Sequence, residues 1–134
     1  MSTFILPQHP EDVPSAFAER FNSGDPAAVR ELYEPEACFV PESGAPVRGA
    51  DAVAAQNAPF LALGLPISVT PRHVHVVDDI ALLLVDWEIG GKVAATATDV
   101  ARRGADGYWR YLIDSPFGAG RRGADDQDRA EDED

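Results

Sequence analysis

The spacing of apolar positions changes once along the chain, from a three-to-four-residue period to alternation. After Pro10-Glu-Asp-Val-Pro-Ser, the residues Ala16, Phe17, Ala18 and Phe21 recur at helical spacing, with acidic residues in the first turn. Asn22-Ser-Gly-Asp-Pro stops that helix. Asp25 is suited to cap a second one, with Pro26 at its first position and Ala28, Val29, Leu32 and Tyr33 along it. Residues 37–42 read as a short strand ended by Pro41, and Ser43-Gly-Ala-Pro as a loop or hairpin turn. A third helix starts at Gly49-Ala-Asp-Ala-Val and carries Val53, Ala54, Phe60 and Leu61, with Pro59 expected to kink or end it.

From Pro66 onward β-branched and aromatic residues dominate. Four strands are predicted, over Ile67–Val77, Ile80–Ile89, Val93–Arg103 and residues 108–114. Asp78-Asp79, Gly90-Gly91 and Gly104-Ala-Asp-Gly107 are turn signals for antiparallel hairpins. A helical half followed by a meander predicts an α+β fold with helices on one face of an antiparallel sheet. Apolar residues almost vanish after Phe117-Gly-Ala-Gly. The expected organisation is one domain over residues 1–118 and a disordered acidic tail over 119–134.

If Gly90-Gly91 forms a two-residue turn, Ile89 pairs with Lys92 and the register follows. One face then carries Leu82, Leu84, Asp86, Ala95, Ala97, Asp99, Arg110, Leu112 and Asp114. The other carries Leu83, Val85, Trp87, Ile89, Thr96, Thr98, Val100, Trp109, Tyr111 and Ile113. The small side chains of the first face suit a cavity beneath the helices. The Trp-rich second face would be a large exposed apolar patch unless a second copy covers it, so a homodimer through the outer sheet face is expected. A one-residue slip would exchange the two faces.

Charge narrows the function. The 134 residues carry a formal net charge of -12, and the last fourteen hold seven acidic side chains against three arginines. Without that segment the balance is still -8, from -12 minus -4. Such a surface lacks the cations that displace counterions from phosphates, so nucleic acid is excluded as a partner and anionic membranes are disfavoured. A small hydrophobic molecule fits better. Cys38 is the single cysteine, which rules out an internal disulfide and a thiolate metal cluster and points to a reducing cytoplasm. The amino end lacks a basic region before Glu11 and Asp12, unlike a signal peptide, and the longest apolar run, residues 80–85, cannot span a bilayer.

Four segments together carry a resemblance. They are the run Phe17-Ala-Glu-Arg-Phe-Asn-Ser-Gly-Asp-Pro-Ala-Ala-Val, Leu32-Tyr-Glu-Pro-Glu-Ala-Cys-Phe, Val47-Arg-Gly-Ala-Asp-Ala-Val and Asp106-Gly-Tyr-Trp-Arg. Over residues 11–118 the chain resembles the nuclear transport factor two-like superfamily. It is most similar to its ketosteroid-isomerase, SnoaL-like polyketide cyclase and calmodulin-kinase association-domain branches. The resemblance implies a cystatin-like, cone-shaped curved antiparallel sheet wrapped around N-terminal helices. It also implies a pocket in the cone and dimerisation through the outer sheet face.

This scaffold hosts isomerases, cyclases, dehydratases, epoxide hydrolases and binders, so residues must decide the function. A ketosteroid isomerase needs a carboxylate base, a tyrosine donor and a protonated Asp. The resemblance puts the tyrosine position at Phe17 and the base position at Pro41, and only the protonated Asp is matched, by Asp99. Glu42 would take the base position if the strand shifted by one. Asp99, Arg110 and Asp114 match in residue type the two carboxylates and arginine of the family's epoxide hydrolases.

Asp99, between Ala97 and Ala101 on an enclosed face, is the leading candidate for a proton donor, because desolvation raises a carboxyl pKa. The alternative is a carboxylate paired with Arg110 or another arginine. Asp86, Asp114 and His73 are candidates to share proton transfer. His73 and His75, two apart on one strand, have a spacing that can ligate a metal, but no third ligand is evident. Phe17, Phe21, Tyr33, Phe39 and Phe60 are candidates to line the cavity with Leu84, Ala97, Arg110 and Leu112, or simply to form the core. No nucleotide or phosphate motif occurs, and no cofactor is expected. Two functions stand side by side: a cofactor-independent isomerase, cyclase or hydratase on a small hydrophobic substrate, and a non-catalytic dimeric ligand-binding or association module. The Ala-, Asp- and Arg-rich, Lys-poor composition suggests a bacterial source.

Overall fold

In the computed structural model, which describes residues 4–122, a short 3-10 turn at Pro10–Asp12 leads into helix α1, Val13–Asn22. Asp25 caps helix α2, Pro26–Arg30, its Oδ1 accepting from the Ala27 amide at 3.0 Å. Arg20 is fully buried between the two helices and donates to the Ala28 carbonyl at 2.7 Å. Helix α2 stops short of the predicted Tyr33, which instead opens strand β1, Tyr33–Phe39. Pro35 marks the extended stretch that follows, because Glu34 before it is driven out of the helical region. Strand β2, Val47–Arg48, pairs antiparallel with the end of β1 and makes Ser43-Gly-Ala-Pro part of a hairpin connection. Helix α3, Ala50–Ala62, contains Pro59 and continues three residues past it.

The long strands β3 (Ile67–Val77), β4 (Ile80–Ile89) and β5 (Val93–Arg103) have the predicted bounds, and β6 is Trp109–Asp114. The sheet is curved and unclosed, in the order β2-β1-β6-β5-β4-β3. It is not wholly antiparallel, since β1 lies parallel to β6. Among the described residues no helix is long and apolar enough to cross a membrane.

The register differs from the predicted one by a single residue, with consequences for every side chain. Ile89 pairs with Val93 rather than Lys92, because the turn holds three residues, Gly90, Gly91 and Lys92. The Lys92 amide closes it on the Ile89 carbonyl at 2.8 Å, and both glycines take positive φ, +51° and +75°. Since side chains alternate, this slip turns Leu83, Val85, Trp87 and Ile89 to the concave, helix-facing side with Ala95, Ala97, Asp99 and Ala101. Leu82, Leu84 and Asp86 go to the outer side. On β6, Ala101 pairs with Tyr111, which brings Trp109 and Tyr111 into the core and sends Arg110 and Leu112 outward. A register shift between Val100 and Ala101 then lets Asp114 join Tyr111 on the inner side although they are three apart. The Trp-rich outer face does not exist: Trp87 and Trp109 are core residues.

Past Asp114 the chain leaves the sheet at Ser115 and returns to β5. The Ala119 amide donates to the Thr96 carbonyl at 3.0 Å, the Thr96 amide to Gly120 at 3.0 Å, and the Arg122 amide to Ala94 at 2.7 Å. This strap therefore continues the fold through residues 119–122, past the expected boundary at residue 118. The rest of the expected acidic tail, residues 123–134, lies outside the described residues.

Candidate functional site

The concave side of the sheet and helices α1 and α3 enclose a cavity of about 50 Å³. That is room for a few water molecules, or for part of a ring, with the side chains as they stand. Its walls are apolar: Phe17 and Phe21 from α1, Phe39 from β1, Phe60 from α3 and Trp87 from β4. Ala97 opposite Val85 leaves the space. On one side Phe60, Trp87 and Phe117 form an aromatic cluster, with Phe117 edge-on to Trp87 at 5.4 Å. The strap fixes this cluster, since the Trp87 indole N–H donates to the Pro116 carbonyl at 2.7 Å.

The cavity's polar lining is Asn57, Asp99, Tyr111 and Asp114. Asp99 is 3% and Asp114 7% exposed. The amide of Ser115 donates to Asp99 Oδ1 at 2.9 Å, and the Tyr33 hydroxyl makes a short hydrogen bond to Asp114 Oδ2. Asn57 Nδ2 donates in turn to Tyr33 Oη at 3.1 Å. Burial pushes the Asp99 carboxyl well up, and the neighbouring Asp114 charge and a hydrogen bond between the two add to this against the Ser115 amide. Burial also raises Asp114, while the hydrogen bonds from Tyr33 and Asp99 oppose it. Both carboxyl groups are thus held above the ordinary carboxylate range, as a pair rather than as independent groups. Burial followed by the charge of Asp114 pushes the Tyr33 hydroxyl up, and burial followed by the charges of Asp99 and Asp114 does the same to Tyr111, so both remain donors.

Of the candidates from sequence, Asp99, Asp114, Phe17, Phe21, Phe39, Phe60 and Ala97 stand around this cavity. Tyr33 stands behind Asp114 and lines a smaller cavity between α2 and α3. The others are elsewhere, for the register reason given above. Leu84, Arg110 and Leu112 point to the outer side, and the Arg110 guanidinium is committed to Asp106, whose carboxyl it holds down to about 2. Asp86 is also outside. Burial works to raise it, but Thr96 at 2.6 Å, Arg72 at 2.8 Å and the charge of Arg122 keep it low, as befits an ion-paired structural carboxylate. His73 is exposed on the outer side, its ring stacked on His75 at 5.9 Å, and no group of three metal-ligating side chains forms among the described residues. Glu42 is exposed and ion-paired with Arg121 rather than directed at the cavity.

Val85, Trp87, Ile89 and Tyr111 also line the cavity, on the opposite face from the one that a two-residue turn predicts. Asn57 was readable: with Val53, Phe60 and Leu61 it sits at i, i+4, i+7 and i+8 spacing on the apolar stripe of α3, and an amide there calls for a buried partner.

The family model for the SnoaL-like domain matches residues 15–112. No curated protein matches the sequence. Among solved structures, a protein from Thiobacillus denitrificans assigned as a calcium/calmodulin-dependent protein kinase type II association domain is 24% identical, with a TM-score of 0.70 over 84% of this chain and 98% of that one. A protein from Streptomyces avermitilis assigned as a dehydratase of the nuclear transport factor 2-like family is 23% identical, with a TM-score of 0.62 over 79% and 92%. A ketosteroid isomerase-like protein from Erwinia carotovora atroseptica is 17% identical, with a TM-score of 0.65 over 78% and 89%. At these identities the likeness is one of fold.

Proposed function

Since the chain belongs to the SnoaL-like domain family, we propose that it binds a small, largely apolar molecule in its cavity and acts on it by cofactor-independent proton transfer, as an isomerase, cyclase or hydratase. The observation that carries this reading is the Asp99–Asp114 pair, two buried carboxyl groups, both pushed up by burial, at the wall of an otherwise aromatic cavity. One neutral acid beside one charged base is what general acid–base chemistry requires. For an isomerisation, Asp114 takes a proton from a C–H beside a carbonyl and the pair returns one at a second carbon. For a dehydration, the proton on Asp99 leaves with a hydroxyl as water while Asp114 collects the C–H proton. In both cases the pair ends with one proton, as it began. Apolar walls strengthen these interactions by keeping water out.

The test is a panel of one- and two-ring enones, β-hydroxy ketones and epoxides, with binding read as a rise in Tm and turnover by mass and NMR. At least one class should be converted, and Asp99→Asn and Asp114→Asn should each slow it by about a hundredfold or more. Parental rates in both variants would remove the pair from the chemistry.

The second reading is a non-catalytic ligand-binding or association module that pairs with a second copy through the outer sheet face. It is favoured by the exposure of Val77, Ile80 and Leu82, which are 73%, 41% and 42% exposed on β3 and β4. A sedimentation mass of two chains that reverts to one in Leu82→Glu is its expected signature, and a mass of one chain for the parent would exclude it.

A further inference from the structure

The outer side of the sheet carries two side chains that neither the cavity nor the core uses. His73 and His75 lie on β3, an edge strand of the sheet, and both are exposed. Residues two apart on a strand point the same way, and pairing with Leu84 and Leu82 puts both imidazoles on the outer side. The rings are parallel within 11°, with centroids 5.9 Å apart. A register shift between Pro71 and His73 marks an irregularity just before the pair, of the kind that re-aims side chains. Among the described residues neither imidazole is held by a hydrogen bond or an ion pair. Arg72, the neighbouring cation, is bound to Asp86 at 2.8 Å, and the chain's net charge of -12 draws cations to its surface.

We propose that His73 and His75 chelate one divalent transition-metal ion of the copper, nickel and zinc group per chain, with water in its remaining positions. Imidazole nitrogen suits these ions and Cu2+ binds such donors most strongly, whereas Mg2+ and Ca2+ take oxygen. Metal–nitrogen distances of about 2.0–2.1 Å bring the two rings closer than they stand, a change that rotation of two exposed side chains supplies. Two ligands suffice for measurable affinity, because once one imidazole has bound, the strand holds the second at high local concentration. No third metal-ligating side chain joins them among the described residues, so the site is an open one at the surface rather than a closed structural one. It lies on the side of the sheet turned away from Asp99 and Asp114 and is independent of the function proposed above.

The test is titration of the untagged, metal-stripped chain of 134 residues with Cu2+. Calorimetry gives affinity and stoichiometry, and nitrogen splitting in electron paramagnetic resonance counts the bound imidazoles. The parent should take up one Cu2+ per chain with two nitrogens on it, bind Ni2+ and Zn2+ more weakly, and ignore Mg2+. His73→Gln and His75→Gln should each weaken Cu2+ binding by about tenfold or more. The double variant should lose little beyond either single one, the signature of two ligands acting together. His9→Gln, at an exposed histidine outside the pair, is the control and should bind as the parent does. All three positions are exposed, so the variants should melt with the parent in the absence of metal. Equal binding by the parent and His75→Gln overturns the proposal and moves the ion to carboxylates or the amino end. A single nitrogen on the ion overturns it too, as does half an ion per chain, which would place the ion between two copies. Mg2+ binding as tight as that of Cu2+ would mean an oxygen site and also sink it.

Discussion

Asp99 is held where its charge is unwelcome, and the energetic sign of that can be worked out. Its carboxyl is raised in the folded protein by burial first and Asp114 second, against about 3.9 in the unfolded chain. Above that ordinary value the folded state binds more protons than the unfolded one, so this group's contribution to stability is full in acid and is lost as pH rises towards the folded pKa. Asn keeps an acceptor for the Ser115 amide and a donor for Asp114 without carrying charge. Asp99→Asn should therefore be at least as stable as the parent at pH 7, and the advantage should shrink on acidification to about pH 4. Urea midpoints measured at the two pH values check this. An advantage that grows in acid would mean that Asp99 is ionised in the folded protein.

At the scale of elements, the strap after β6 is tied to one glycine. A Cβ on Gly118 would lie 1.8 Å from Thr98 Oγ1 and 2.9 Å from Thr98 Cβ. Gly118→Ala should lift residues 115–119 from β5, loosen the Trp87–Pro116 hydrogen bond and cost roughly 1–3 kcal/mol, the range for forced overpacking. Chemical denaturation and the indole N–H resonance of Trp87 would register it. Elements of this kind also show what the sequence could and could not yield. Strands β3 to β5 were readable to the residue, because Asp78-Asp79 and Gly90-Gly91 bracket β-branched runs. The faces were not. Two positive-φ glycines suit both a two-residue and a three-residue connection, so the local signal does not choose between them. Asp114 was put on the correct side for the wrong reason, since only the irregularity near Val100 brings it inward with Tyr111. Tyr33, expected at the end of the second helix, opens β1 instead and pairs with Tyr111 of β6, a long-range partner with no local signal. The parallel pairing of β1 with β6 left no local signal, as parallel partners are chosen by what lies between them rather than by a turn.

For the molecule as a whole, the strap makes the chain beyond residue 118 part of the domain. Truncation after residue 118 removes three backbone hydrogen bonds to β5 and the Arg122 contacts with the Trp87 and Ala95 carbonyls. Compared with truncation after residue 122 it should cost about 2 kcal/mol and lower Tm by several degrees. Equal melting of the two would show that those pairings carry no net stability. The same closing strands govern when the site comes into being. Tyr33 and Asp114 are 81 residues apart, joined across a parallel pair. Contacts of such long sequence separation pay their loop-closure entropy before they return anything, and they slow folding. A nascent chain leaving the ribosome displays β1 long before its partner exists, so the carboxyl pair comes together only when nearly the whole domain has emerged. A half-made chain therefore carries neither the buried carboxyl pair nor the aromatic cavity around it.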